Sequence, residues 1–187
     1  MNIIIVSGSK RKGNCEYIAN SLTNYLKETY KSIDVVCLKL SEIAINYCTG
    51  CLLCDETAKC YIEDDMTNLV DSIAEADGII FLSPARWSLI SGEMKTFLDR
   101  LNPLAVSMKL SGKKCITITV GQSNEDEGDS VIAASNSFKA FTDNAEMLIC
   151  KQLEIYSCLV DNDIYSKTHE IERCQIACDE LIESLNE

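Results

Sequence analysis

The chain has 187 residues, 47% of them apolar and 25% charged, with 17 Lys and Arg against 29 Asp and Glu for a formal charge of −12. That length suits one domain with a proper core, and the acidic excess argues against nucleic acid or an anionic membrane as the main partner. No apolar run approaches the roughly 20 residues of a membrane span, and Ile3 to Val6 is too short for a signal peptide, so a cytoplasmic location is expected.

In chain order, a first strand at Ile3 to Val6 empties into Ser7-Gly8-Ser9-Lys10-Arg11-Lys12-Gly13-Asn14-Cys15. Small and basic residues between a strand and an amphipathic segment make a loop whose amides, with the next helix N-terminus, can hold an anion. Ser7 and Ser9 offer hydroxyls, Arg11 a charged fork, and Asn14 an N-cap. Gly8-x4-Gly13 has Walker spacing, but Asn14-Cys15 stands where Lys-Ser/Thr would be needed, and no G-x-G-x-x-G is present. An ordinary polar turn accounts for the loop equally well.

Apolar residues then recur at helical spacing from about Asn14 to Tyr30, and Ile33 to Leu38 reads as the second strand. From Ser41 to about Glu63 there is little periodicity and four cysteines, and a loop that long inside a compact domain is usually functional. Asp64 or Asp65 caps a second helix, closed by Asp77-Gly78; Gly78 to Ser83 is a third strand, ending at Pro84. Ser91 to Leu101 forms a third helix, Lys114 to Val120 a fourth strand, and 122–129 an acidic loop. A helix at about Ser130 to Asn144, a fifth strand within Met147 to Leu159 and a last helix at about Asp163 to Leu185 complete the chain. Five strands alternating with five helices predict an α/β fold, a parallel sheet covered on both faces. Ligands of such sheets sit beyond the carboxyl ends of the strands, which directs loops 7–15, 84–89 and 119–124 to one site.

The second of these loops, Ser83-Pro84-Ala85-Arg86-Trp87-Ser88, holds the only tryptophan of the chain beside polar residues and free amides. A planar heterocycle would need such a surface, although Trp87 could also be a hydrophobic plug. With G-S-K-R-K-G-N-C at 8–15, S-P-A-R-W at 83–87 and I-S-G-E-M-K-T-F-L-D-R at 90–100, the chain resembles the flavodoxin-like NADPH-dependent FMN reductase family over essentially its whole length. The resemblance implies one flavodoxin-like domain over 1–187, a doubly wound five-stranded parallel sheet of order 2-1-3-4-5 with helices on both faces, and a cysteine-rich insertion at about 41–63. It implies FMN held by Ser7, Ser9, Arg11, Gly13, Asn14 and Cys15 at the phosphate, by Pro84, Ala85, Arg86, Trp87 and Ser88 beside the ring, and by Thr119 and Gly121 on its other side. Two departures stand out: Cys15 replaces the family's threonine and Arg86 its tyrosine.

The eleven cysteines would be thiols or ligands in a reducing compartment. Cys37, Cys115, Cys150 and Cys158 lie in apolar strand-like runs and read as small core residues. Cys174 and Cys178 share a helical face where core packing explains them, and His169, the only histidine, reads as a surface residue. Cys48-x2-Cys51-x2-Cys54-x5-Cys60 is different, since closely set thiolates suit soft metals and clusters. It looks like the motif of the iron–sulfur flavoprotein branch, which implies a [4Fe–4S] cluster beside FMN; zinc and unmetallated thiols are the alternatives. The branch implies an FMN-dependent oxidoreductase exchanging electrons with a small-molecule acceptor or a ferredoxin-type protein, as a homodimer or homotetramer. A cluster-free NAD(P)H-dependent FMN or quinone reductase and a flavodoxin-like electron carrier are the rival functions.

Overall fold

The computed structural model describes residues 1–127 and 129–187. In chain order its elements are β1 (Asn2–Ser7), α1 (Asn14–Thr29), β2 (Asp34–Lys39), α2 (Leu53–Thr57), α3 (Met66–Glu75), β3 (Gly78–Arg86), β4 (Leu89–Ile90), α4 (Gly92–Asp99) and α5 (Asn102–Val106). There follow β5 (Lys114–Val120), α6 (Asp129–Asn144), β6 (Leu148–Ile155), a 3-10 turn (Asp163–Ser166) and α7 (Thr168–Leu185). Parallel strands lie in the order β2-β1-β3-β5-β6, while β4 pairs antiparallel with β3.

The central strands bury both faces, which is why they read as unbroken apolar runs. Ile3 and Ile5 of β1, Ile80 and Leu82 of β3, and Ile116, Ile118 and Val120 of β5 pack under α1 and α7. Ile4, Val6, Ile79, Phe81 and Cys115 point the other way, into a core shared with α3, α4 and α6. Each fully buried Ile or Phe contributes about 1.5–3 kcal/mol. Two cores on opposite faces hold the sheet rigid and leave the loops at its carboxyl edge to form a site.

The structure differs from the sequence expectations at several points. The expected five-strand order 2-1-3-4-5 is not met as written: β4 is an additional strand, so the order becomes β2-β1-β3-β5-β6 with β4 set apart. The third strand continues past Pro84 to Arg86 because a hairpin to β4 supplies it with a partner. The segment 41–63 contains the short helix α2, and α5 follows α4 directly after Leu101. The last helix starts at Thr168, with 163–166 forming a separate 3-10 turn. The loop expected at 122–129 includes Gly128, which lies outside the described residues. None of the described helices is long and apolar enough to cross a membrane.

Candidate functional site

Three loops at the carboxyl edge of the sheet converge on one cavity of about 470 Å3. Ser9, Arg11, Gly13, Asn14 and Cys15 come from the loop after β1; Pro84, Ala85, Arg86, Trp87 and Ser88 from the β3–β4 hairpin; Val120, Gly121, Gln122 and Ser123 from the end of β5. Ser130 and Cys158 complete the lining. Arg11 and Arg86 are its only charged lining residues among those described, a local positive charge on a strongly acidic chain.

α1 opens at this cavity. Its N-cap is Gly13, and no side chain bonds to the first helical amides. The early N–H groups of a helix have no intrahelical partner, so this end favours an anion. The loop before it is fastened from behind: Ser91, the N-cap of α4, donates from Oγ to the Gly8 carbonyl at 2.6 Å and accepts the Met94 N–H at 3.1 Å. Ser83 Oγ accepts the Ser91 N–H at 2.9 Å. A Cβ on Gly8 would stand 2.8 Å from that of Met94, so only glycine lets the loop lie this close to α4.

Asn14 does not cap α1. It lies inside the helix, donates from Nδ2 to the Val160 carbonyl at 2.8 Å and accepts the Ile164 N–H at 3.1 Å, pinning the segment after β6 beside the first loop. That segment brings Asp161, which pairs with Arg11 at 3.1 Å, both side chains being about half exposed. Ser7 and Thr119 do not line the cavity. Ser7 stands in a second depression with Lys10, Lys12 and Lys39, which shares Ser9 and Arg11 with the cavity. Thr119 has the parity of Cys115, so it turns towards the α4 and α6 layer, fully buried, and its Oγ1 has no partner. Cys158, expected in the core, lines the cavity although buried. Burial, with Cys158 nearby, pushes the Cys15 thiol up to about 12 against the pull of Arg11 and Arg86, so it is neutral at physiological pH.

The β3–β4 hairpin turns on Trp87 and Ser88, with φ of 49° and 62°, between the paired residues Arg86 and Leu89. Two-residue hairpins with two positive φ values ordinarily use Asn and Gly. Here the turn holds two side chains at a cost, and Trp87 stands 99% exposed at the tip. It is not a hydrophobic plug.

Away from this cavity, Cys48, Cys51, Cys54 and Cys60 all line one small, apolar-walled cavity with Leu52, Ile62 and Asn102. Among the described residues, no three His, Cys, Asp or Glu side chains stand close enough together to hold a metal ion. Facing one cavity and standing at ligand distance are separate conditions, and the four thiols meet the first. Asn102 Nδ2 donates to Cys54 Sγ at 3.0 Å.

Sequence comparison decides the family. NADPH-dependent FMN reductase is the family matched, over residues 1–150. An iron–sulfur flavoprotein of Methanocaldococcus jannaschii is 32% identical over 74% of this chain and 71% of its own length. The chain belongs to the NADPH-dependent FMN reductase family, in its iron–sulfur flavoprotein branch. An iron–sulfur flavoprotein of Archaeoglobus fulgidus is 33% identical over 60% of this chain, but the match spans only 51% of that protein. Among solved structures, a flavone reductase superposes with a TM-score of 0.77 at 18% identity, over 100% of this chain and 64% of that one. A flavodoxin from the domain Archaea gives 0.64 at 15% identity, over 100% of both. These two show the fold, an α/β flavodoxin-like one.

As a member of this family the protein is a flavin-dependent oxidoreductase. Its cavity fits the group the family is named for: a cofactor-sized concavity, a helix N-terminus with Arg11 for a phosphate, and an exposed aromatic beside polar backbone for a ring. The cysteine loop fits an iron–sulfur cluster in its donor chemistry, with four thiols on one cavity and an amide N–H already directed at one sulfur.

Proposed function

We propose that residues 1–187 form one FMN-binding unit that passes electrons between a donor, NAD(P)H or a ferredoxin-type protein, and a small-molecule acceptor, with a [4Fe–4S] cluster in its cysteine loop. The observation that carries the flavin site is the convergence of the three loops on one cavity at the N-terminus of α1. Arg11 and the amides of 9–15 would hold the phosphate. Pro84 to Ser88 and Gly121 would border the ring, and their amides would tune it from its polar edge. Cys48, Cys51, Cys54 and Cys60 would hold the cluster. When bound, FMN supplies two-electron and one-electron redox chemistry and a cluster exchanges single electrons.

Arg11→Ala tests the flavin site. Losing a charge-assisted contact worth about 1.5–3 kcal/mol should weaken FMN binding by roughly 10- to 100-fold, read by flavin fluorescence on titrating the flavin-free protein. Unchanged affinity would remove the phosphate assignment. A second reading keeps FMN without a cluster, as an NAD(P)H-dependent FMN or quinone reductase, and it draws on the finding that no three ligating side chains group together among the described residues. Iron analysis distinguishes the two.

A further inference from the structure

The cysteine loop is closed at its neck by one buried residue. Arg100, 2% exposed, donates from Nη1 to the Asn46 carbonyl at 2.8 Å and to Asp64 Oδ2 at 2.6 Å. From Nη2 it donates to the Ile62 carbonyl at 3.2 Å and to Asp64 Oδ1 at 3.0 Å. Asn46 and Ile62 are the two ends of the cysteine-bearing segment, so one guanidinium ties both together. Asp64 adds a second tie by accepting the Asn46 N–H at 2.8 Å. A guanidinium has five N–H donors, and those four contacts use four of them. The fifth, on Nε, is buried and has no partner. Cys60 and Arg100 line one and the same cavity beside this neck.

Two residues further on, at the start of α5, Asn102 donates to the Cys54 sulfur at 3.0 Å and to Asp55 Oδ1 at 3.2 Å. We propose that Arg100 and Asn102 form a frame, complete without metal, that closes the loop between Asn46 and Ile62 and holds two N–H donors for its sulfurs: Asn102 Nδ2, already bonded to Cys54, and the unpartnered Arg100 Nε, kept free for Cys60 on the cavity they share. Both are positioning residues. The closed neck removes loop entropy before any ligand is bound, and N–H donors to coordinating sulfurs raise a cluster's reduction potential. The first role stands independently, whereas the second rests on the cluster reading above.

Arg100→Lys keeps the charge but loses the fork. In the metal-free, FMN-bound protein, hydrogen exchange of amides 47–61 should rise about tenfold or more over wild type, with FMN affinity unchanged as the control for folding. Asn102→Ala, at a half-buried helix start, should leave exchange at the neck and iron content unaltered. It should shift the potential of the iron-loaded protein to more negative values. Exchange in Arg100→Lys equal to wild type would overturn the frame, and so would an unshifted potential in iron-loaded Asn102→Ala. A wild-type chain that takes up no iron under anaerobic reconstitution would end the cluster reading instead, and the exchange result alone would then decide the frame.

Discussion

Trp87 and Ser88 show how a single residue pair can trade stability for a surface. Both occupy the left-handed region, where a side chain costs about 1–2 kcal/mol, and neither is repaid by burial of Trp87. Replacing Trp87 with Asn and Ser88 with Gly, the residues such turns prefer, should raise stability by about 1–2 kcal/mol, or roughly 2–8 °C in Tm. The same change should weaken FMN binding or slow turnover. A variant that gains stability and keeps full affinity and activity would show that the tip has no part in the flavin site. Asn14 carries the opposite lesson. By local rules it is a helix cap, yet it bonds to Val160 and Ile164, about 150 residues away. Asp161, brought beside Arg11 by that bridge, was therefore invisible to any reading of the first loop.

At the scale of elements, α1 and α7 are clipped together by Asp179, which accepts hydroxyls from Tyr25 at 2.9 Å and Tyr30 at 2.7 Å. Burial, then the bond to Asp179 and its charge, raise the pKa of both phenols. A raised folded-state value stabilises the protein fully below the unfolded value of about 10, and that contribution is lost as pH climbs through the folded one. Urea midpoints should therefore hold up to about pH 10 and fall above it. Tyr30→Phe should lower stability near neutrality by about 1 kcal/mol, the low end for a half-buried bond to a charged acceptor, and flatten the alkaline decline. Equal alkaline decline in wild type and variant would contradict the clip. Strands β1, β3 and β5 were legible because continuous apolar runs bounded by Gly, Pro or basic residues have few other uses. The two residues of β4 carry no period, and Arg86-Trp87-Ser88-Leu89 lacks the Asn-Gly signal of a hairpin. Thr119 was assigned to the site by loop position, and strand parity placed it on the other face.

At the scale of the whole molecule, two kinds of order meet. The flavodoxin-like sheet carries its cavity on hydrophobic cores packed on both faces, with the loops fastened by buried hydrogen bonds of Ser83, Ser91 and Asn14. The cysteine loop has no buried apolar residue between Asn46 and Ile62 and is held at its neck by a buried ion pair. The spacing of its cysteines could be read from the sequence, but the role of Arg100, 40 residues after Cys60, could not. The acidic surface, −12 overall, would draw a basic redox partner towards the protein at low ionic strength. Flavin and iron content, with the visible spectrum, of protein purified without oxygen tests the joint presence of both centres most directly. The expected result is one FMN and about four irons per chain, with flavin bands and a shoulder near ~400 nm that dithionite bleaches. A yellow protein without iron would contradict the cluster, and a colourless one unable to take up FMN would contradict the site itself.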